Sequence, residues 1–122
     1  MKKKIKVYIA SPYTKGDVAV NVRKSIDTFY TLSKKGFVPF SPIAMSHFIH
    51  LVYPLKYDFW LEEWDYEWVV SCDCLLRLEG ESYGADEEIK KAKEYNIPIF
   101  YSIERLLEYY NIEKDFELDI EL

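Results

Sequence analysis

The chain has 122 residues, 49% of them apolar, with 16 basic and 21 acidic side chains and a net charge of −5. That length fits one domain with a real core, and the acidity fits poorly with a nucleic-acid backbone, whose phosphates need clustered Lys and Arg. There is no signal-like start and no apolar run approaching the roughly 18 residues of a membrane span, so a cytoplasmic protein without membrane contact is expected.

The basic run Lys2–Lys4 with Lys6 leads into Ile5–Ala10, an alternating β-rich stretch that reads as a first strand, stopped at Ser11-Pro12-Tyr13. Val18, Val22, Ile26, Phe29 and Tyr30 follow helical spacing, and Gly36 closes that helix. Phe37–Phe40 is a short second strand ending at Ser41-Pro42, and Ala44–Val52 reads as a short helix. Asp58 is placed to cap the next helix, whose apolar positions are Trp60, Leu61, Trp64, Trp68 and Val69. Cys72–Leu78 is a third strand, Gly80–Gly84 a loop, and Ala85, Ile89 and Ala92 mark a helix stopped at Asn96. Ile97–Tyr101 is a fourth strand, and Ser102 caps a helix with Ile103, Leu106, Leu107 and Tyr110. The acidic-apolar tail 111–122 reads as a loose end, an added strand or an arm on a neighbouring subunit.

Strands alternating with helices imply an α/β fold: one parallel sheet of four to five strands, helices on both faces, flavodoxin-like or Rossmann-like in plan. Ligands bind such sheets beyond the carboxyl ends of the strands, here Ser11–Tyr13, Ser41-Pro42, Glu79–Gly84 and Tyr101-Ser102. Cys72 and Cys74 are two apart and share a strand face, which is poor geometry for a mutual disulfide. They read as reduced core residues, and His47 and His50 alone do not complete a zinc site, so no metal or redox cofactor is expected.

The aromatic content is high, with 11 Tyr, 7 Phe and 3 Trp, and seven of these rings fall within Tyr53–Trp68. Core and subunit interface would account for them, and so would a wall of Tyr57, Trp60 or Trp64 against a planar ring. The loop Glu79–Gly84 enters a helix N-terminus yet matches no dinucleotide or nucleoside-triphosphate pattern, and its acidic residues oppose polyphosphate. Asp65 lies on the apolar stripe of its helix, where a carboxylate needs a partner or a function. Tyr8 and Tyr13 flank the first loop.

Several of these pieces together resemble the nucleoside 2-deoxyribosyltransferase superfamily, including its small uncharacterised branch and the related nucleotide N-glycosidases. They are Tyr8–Tyr13, Asn21, Gly36–Pro42, Asp65 eight residues before Asp73, and Ser82-Tyr83-Gly84-Ala85-Asp86-Glu87-Glu88. The resemblance implies Glu88, not Glu87, as the nucleophile, Asp65 as the aspartate near the glycosidic bond, and Tyr8 as the tyrosine that orients the nucleophile. It implies a substrate contact from Ser82, with Gly84 in the same motif and Ser11, Pro12 and Tyr13 in the first loop. Beside it, Trp60 and Trp64 read as a stacking wall for the base, and His47 with His50 as polar surface or substrate contacts. The extra Gly80-Glu81 makes this loop more acidic than in the nucleotide-cleaving relatives.

The function expected is cleavage or transfer of the N-glycosidic bond of a nucleoside or nucleoside monophosphate. A non-catalytic nucleotide-binding module on the same fold is the alternative, and a purely structural role is disfavoured by the Ser82, Gly84, Glu88 and Asp65 pattern. The expected partners are a small nucleoside or nucleotide and further copies of the chain, as a homodimer or larger homo-oligomer.

Overall fold

Strand β1 (Lys6–Ala10) is buried on both faces, Tyr8 and Ala10 pointing one way and Val7 and Ile9 the other. Such a strand needs neighbours on both edges and helices on both sides. A computed structural model describing residues 3–118 provides them. β1 pairs with β2 (Val38–Phe40) and β3 (Cys74–Arg77), and β3 pairs with β4 (Ile99–Phe100), all parallel, in the order β2-β1-β3-β4. Register places Val7 against Cys74 and Ala10 against Arg77.

The helices are α1 (Val18–Lys34), α2 (Pro42–Val52), α3 (Tyr66–Ser71), α4 (Tyr83–Glu94) and α5 (Ile103–Tyr110). On one face of the sheet Tyr8, Ala10 and Leu75 pack with Val69 of α3 and Ala85, Ile89 and Ala92 of α4. On the other, Val7, Ile9, Cys74 and Leu76 pack with Leu32 of α1 and Leu106 of α5. The fold is therefore the α/β sandwich expected, with four strands. The chain moves outward from β1 to β2 on one side and from β3 to β4 on the other. The carboxyl ends of β1 and β3 thus flank the switch point where such sheets open a crevice.

Local signals act as their chemistry dictates. Side chains of Asp17, Ser41, Ser82 and Ser102 cap α1, α2, α4 and α5 by accepting from amides three residues on. Asn96 and Asn111 take left-handed backbone after α4 and α5.

Four expectations are corrected. Asp58 makes no capping bond, because its backbone is already helical and Phe59–Asp65 winds as a π-helix that runs directly into α3. Cys72 and Cys74 are free and buried, but on opposite faces of the sheet, since Cys72 ends α3 before the strand's alternation begins. The α1 stripe of Ile26, Phe29 and Tyr30 faces outward, and Ser25, Thr28 and Leu32 are the residues buried against the sheet. The tail forms no added strand as far as residue 118. Its Phe116 ring sits over Gly36, and Asp115 pairs with Lys35 at 2.7 Å. Residues 119–122 lie outside the described residues, as does Lys2. Among the described residues no helix is long and apolar enough to cross a membrane.

Candidate active site

Glu88 is a carboxyl where the packing of α4 calls for an apolar residue. It sits between Ala85, Ile89 and Ala92 on the inward side of the helix and is only 5% exposed. Adjacent helical residues point about 100° apart, so Glu87 turns away and pairs with Lys90 at 3.1 Å. The hydroxyl of Tyr8, at the centre of β1 and fully buried, donates a short hydrogen bond to Glu88 Oε2. Burial first, and then the charge of Glu88, hold the Tyr8 hydroxyl well above the usual tyrosine range, so it remains a donor.

Asp65 is the second carboxyl, brought to the same place by the π-helical stretch. In that wider winding, residues five apart fall near one another, and Trp60 and Asp65 both line the cavity. Burial raises Asp65 to about 7, partly offset by a hydrogen bond with Glu88. Glu88 is raised as well, by burial first, then by the charge of Asp65, against the opposing donor Tyr8. Both carboxyls are thus shifted towards the protonated form, and the charge of Asp65 disfavours that of Glu88.

The pair opens onto a cavity of about 470 Å³ at the carboxyl ends of β1 and β3, a size suited to a small ligand. Its walls come from the first loop (Ser11, Tyr13, Lys15), α2 (Ile43, Ser46, His50), the aromatic segment (Leu55, Tyr57, Trp60) and the start of α4 (Ser82, Tyr83, Gly84). Gly84 leaves room for Tyr57: a Cβ there would lie 2.9 Å from the Tyr57 hydroxyl, and the ring would have to shift. Burial, then the charge of Glu88, pushes that hydroxyl up to about 12. Ser11 Oγ and Trp60 Nε1 are buried without a hydrogen-bond partner among the described residues. Both residues belong to this wall, which marks them as groups for a ligand to satisfy.

Of the residues singled out in the sequence, Glu88, Asp65, Ser11, Tyr13, Ser82, Gly84 and Trp60 meet at the cavity, with Tyr8 directly behind Glu88. Three do not line it. Pro12 packs against Gly80 of the neighbouring loop. Trp64 packs between Phe40 and Trp60, 5.5 and 5.6 Å between ring centroids, and so stands behind Trp60 rather than on the wall. His47 stands behind Tyr13, its Nδ1 2.8 Å from the hydroxyl, and His50, one turn further along α2, reaches the cavity instead. The contributions of Ile43 and Ser46 escaped the sequence reading, although their spacing of three and four with His50 on one helix is the signal that unites them. Among the described residues no group of three His, Cys, Asp or Glu is placed to hold a metal ion.

The chain belongs to a family described as a domain of unknown function (DUF1937), whose pattern matches residues 5–102. That span includes every residue of the cavity. No curated protein matches the chain.

Proposed function

We propose that this cavity cleaves or transfers the N-glycosidic bond of a nucleoside or nucleoside monophosphate, with Glu88 as nucleophile and Asp65 as acid and base. One observation carries the reading: the carboxyls of buried Glu88 and half-buried Asp65 both line one ligand-sized cavity, with Tyr8 donating to Glu88, and in this reading the pair shares one proton.

The chemistry needs such a pair. Moving the shared proton from Glu88 to Asp65 creates a carboxylate nucleophile and a carboxylic acid in one step. The Glu88 oxygen attacks the anomeric carbon, the carbon–nitrogen bond breaks, and its electron pair goes to the base nitrogen. The proton of Asp65 then neutralises the departing base. The resulting glycosyl ester on Glu88 is attacked at the same carbon by water or a second base. Asp65 takes the proton released, and the pair returns to its starting state. Tyr8 stabilises Glu88 as the carboxylate and fixes its rotamer. Trp60 and Tyr57 offer ring faces to the base and limit water. The resemblance of Tyr8–Tyr13, Asp65 and Ser82–Glu88 to the deoxyribosyltransferase superfamily supports the same assignment.

The test is a chromatographic screen of nucleosides and their monophosphates for released base, with and without an acceptor base. Release that depends on Glu88 is expected, and no release from any of them would overturn the reading.

Association of copies belongs to the same proposal. Ile26 and Phe29 of α1 and Met45, Phe48 and Leu51 of α2 are exposed on neighbouring helices, Phe48 at 73%, which suits a surface that a second copy covers. Light scattering at micromolar concentration should give a particle of at least twice 14.6 kDa, and a monomer would count against it.

A further inference from the structure

We infer that Glu81 is a specificity-determining residue that makes the cavity favour an unphosphorylated nucleoside over its 5′-monophosphate. This rests on the glycosidic reading above and adds which substrate form the site takes.

Lys15 is the one lysine or arginine on the cavity wall among the described residues, and the same wall carries three carboxyls, Glu81, Asp65 and Glu88. Its ammonium lies 3.9 Å from Glu81 Oε1, so the one cation that a phosphate would use already has an anionic partner. The backbone on both sides of that pair is fixed. Asn21 Nδ2 donates to the carbonyls of Tyr13 and Lys15, at 3.0 and 2.9 Å, which holds the first loop. Across the cavity, Arg77 donates to the carbonyls of Leu78 and Gly80 and to Asp86 Oδ1, which ties the loop to the start of α4.

Gly80 itself is locked at φ +119°, and a Cβ there would meet Pro12 Cγ at 2.8 Å. The loop therefore reaches Glu81 in a backbone conformation that favours glycine, pressed against Pro12. The other anion-attracting feature of the site, the N-terminus of α4, is partly satisfied by protein: Ser82 Oγ accepts from the Ala85 amide at 3.1 Å. It also carries Asp86 in its first turn. A phosphate dianion entering this cavity would meet more carboxyls than cations, whereas an uncharged 5′-hydroxyl meets no such repulsion and has a polar partner in Ser82.

The experiment compares deoxyadenosine, deoxyguanosine, deoxycytidine and thymidine, each against its own 5′-monophosphate, by base release at low and at high salt. Wild type and Glu81→Gln are assayed side by side, with binding of the same eight compounds followed by ligand-observed NMR. For whichever base is accepted, kcat/KM should favour the nucleoside by about tenfold or more at low salt. The preference should shrink with salt, because Lys15 and Glu81 are both solvent-exposed, and should fall several-fold in Glu81→Gln. A monophosphate used as well as or better than its nucleoside overturns the inference and leaves the glycosidic reading standing. A preference unchanged in Glu81→Gln also overturns it. Absence of both base release and binding for all eight compounds overturns the glycosidic reading, and this inference with it.

Discussion

Helices α1 and α4 lie on opposite faces of one sheet, each with a regular apolar stripe, and they use it in opposite ways. In α4 the stripe of Ala85, Ile89 and Ala92 goes inward and takes Glu88 with it. In α1 the inward residues are Ser25, Thr28 and Leu32, two of them hydroxyls that bond back to carbonyls of their own helix. Its larger apolar side chains face out, Ile26 at 46% exposed against 8% for Ile89. A carboxyl buried at a cavity and an apolar face left open are both departures from the rule of polar outside and apolar inside. The proposed chemistry uses the first and the proposed association of copies the second.

The largest expected effect is at the buried departure. Glu88→Gln should remove base release by several orders of magnitude, roughly 4 kcal/mol or more of transition-state stabilisation, with the fold retained. Glu87→Gln, one residue away on the outer side of α4, should keep most of the activity. Comparable activity in the two variants would break the distinction between the faces of α4. A loss confined to Glu87→Gln would move the site to the other side of the helix.

Next comes the same substitution on the two helices. Ile89→Ala opens a cavity against Tyr8 and Leu75 and should cost about 2–4 kcal/mol in denaturant unfolding. Ile26→Ala should change the stability of the isolated chain by less than about 0.5 kcal/mol while weakening any association seen by light scattering. Equal costs at low protein concentration would mean that the outer face of α1 is covered by the chain's own residues.

A pH experiment probes the carboxyl pair. A carboxyl whose value is raised in the folded state stabilises it fully below its unfolded value and loses that contribution as pH climbs through the folded one. For Asp65 that window runs from 3.8 to about 7, so stability should fall across it. Asp65→Asn should flatten the slope, gaining at pH 8 roughly 1.4 kcal/mol for each unit by which the carboxyl was raised, and nothing at pH 3. A variant with the parent's slope would place Asp65 in water rather than against Glu88.

Much of this arrangement was legible in the sequence, for identifiable reasons. Alternation in Val7–Ala10, the cap Ser102 and the turn residues Gly36 and Asn96 are local signals, and the elements they mark are present. The position of Glu88 followed from the spacing of Ala85, Ile89 and Ala92. Periodicity fixes which residues share a face but not which way the face turns, and so α1 came out inverted. An α-helical period applied to Trp60–Trp68 put Trp64 on the wall, whereas π winding puts Trp60 and Asp65 there together. His47 and His50 differ by less than one turn, and what separates them is the contact of His47 with Tyr13.

The stereochemistry of the sugar product tests the central claim most directly. With methanol present as a competing acceptor, proton NMR of the methyl glycoside reads whether the anomeric centre is retained or inverted. Two displacements through a glycosyl ester on Glu88 predict retention, the β-methyl glycoside from a β-nucleoside. The α-methyl glycoside would mean one direct displacement, and Glu88 would not be the nucleophile.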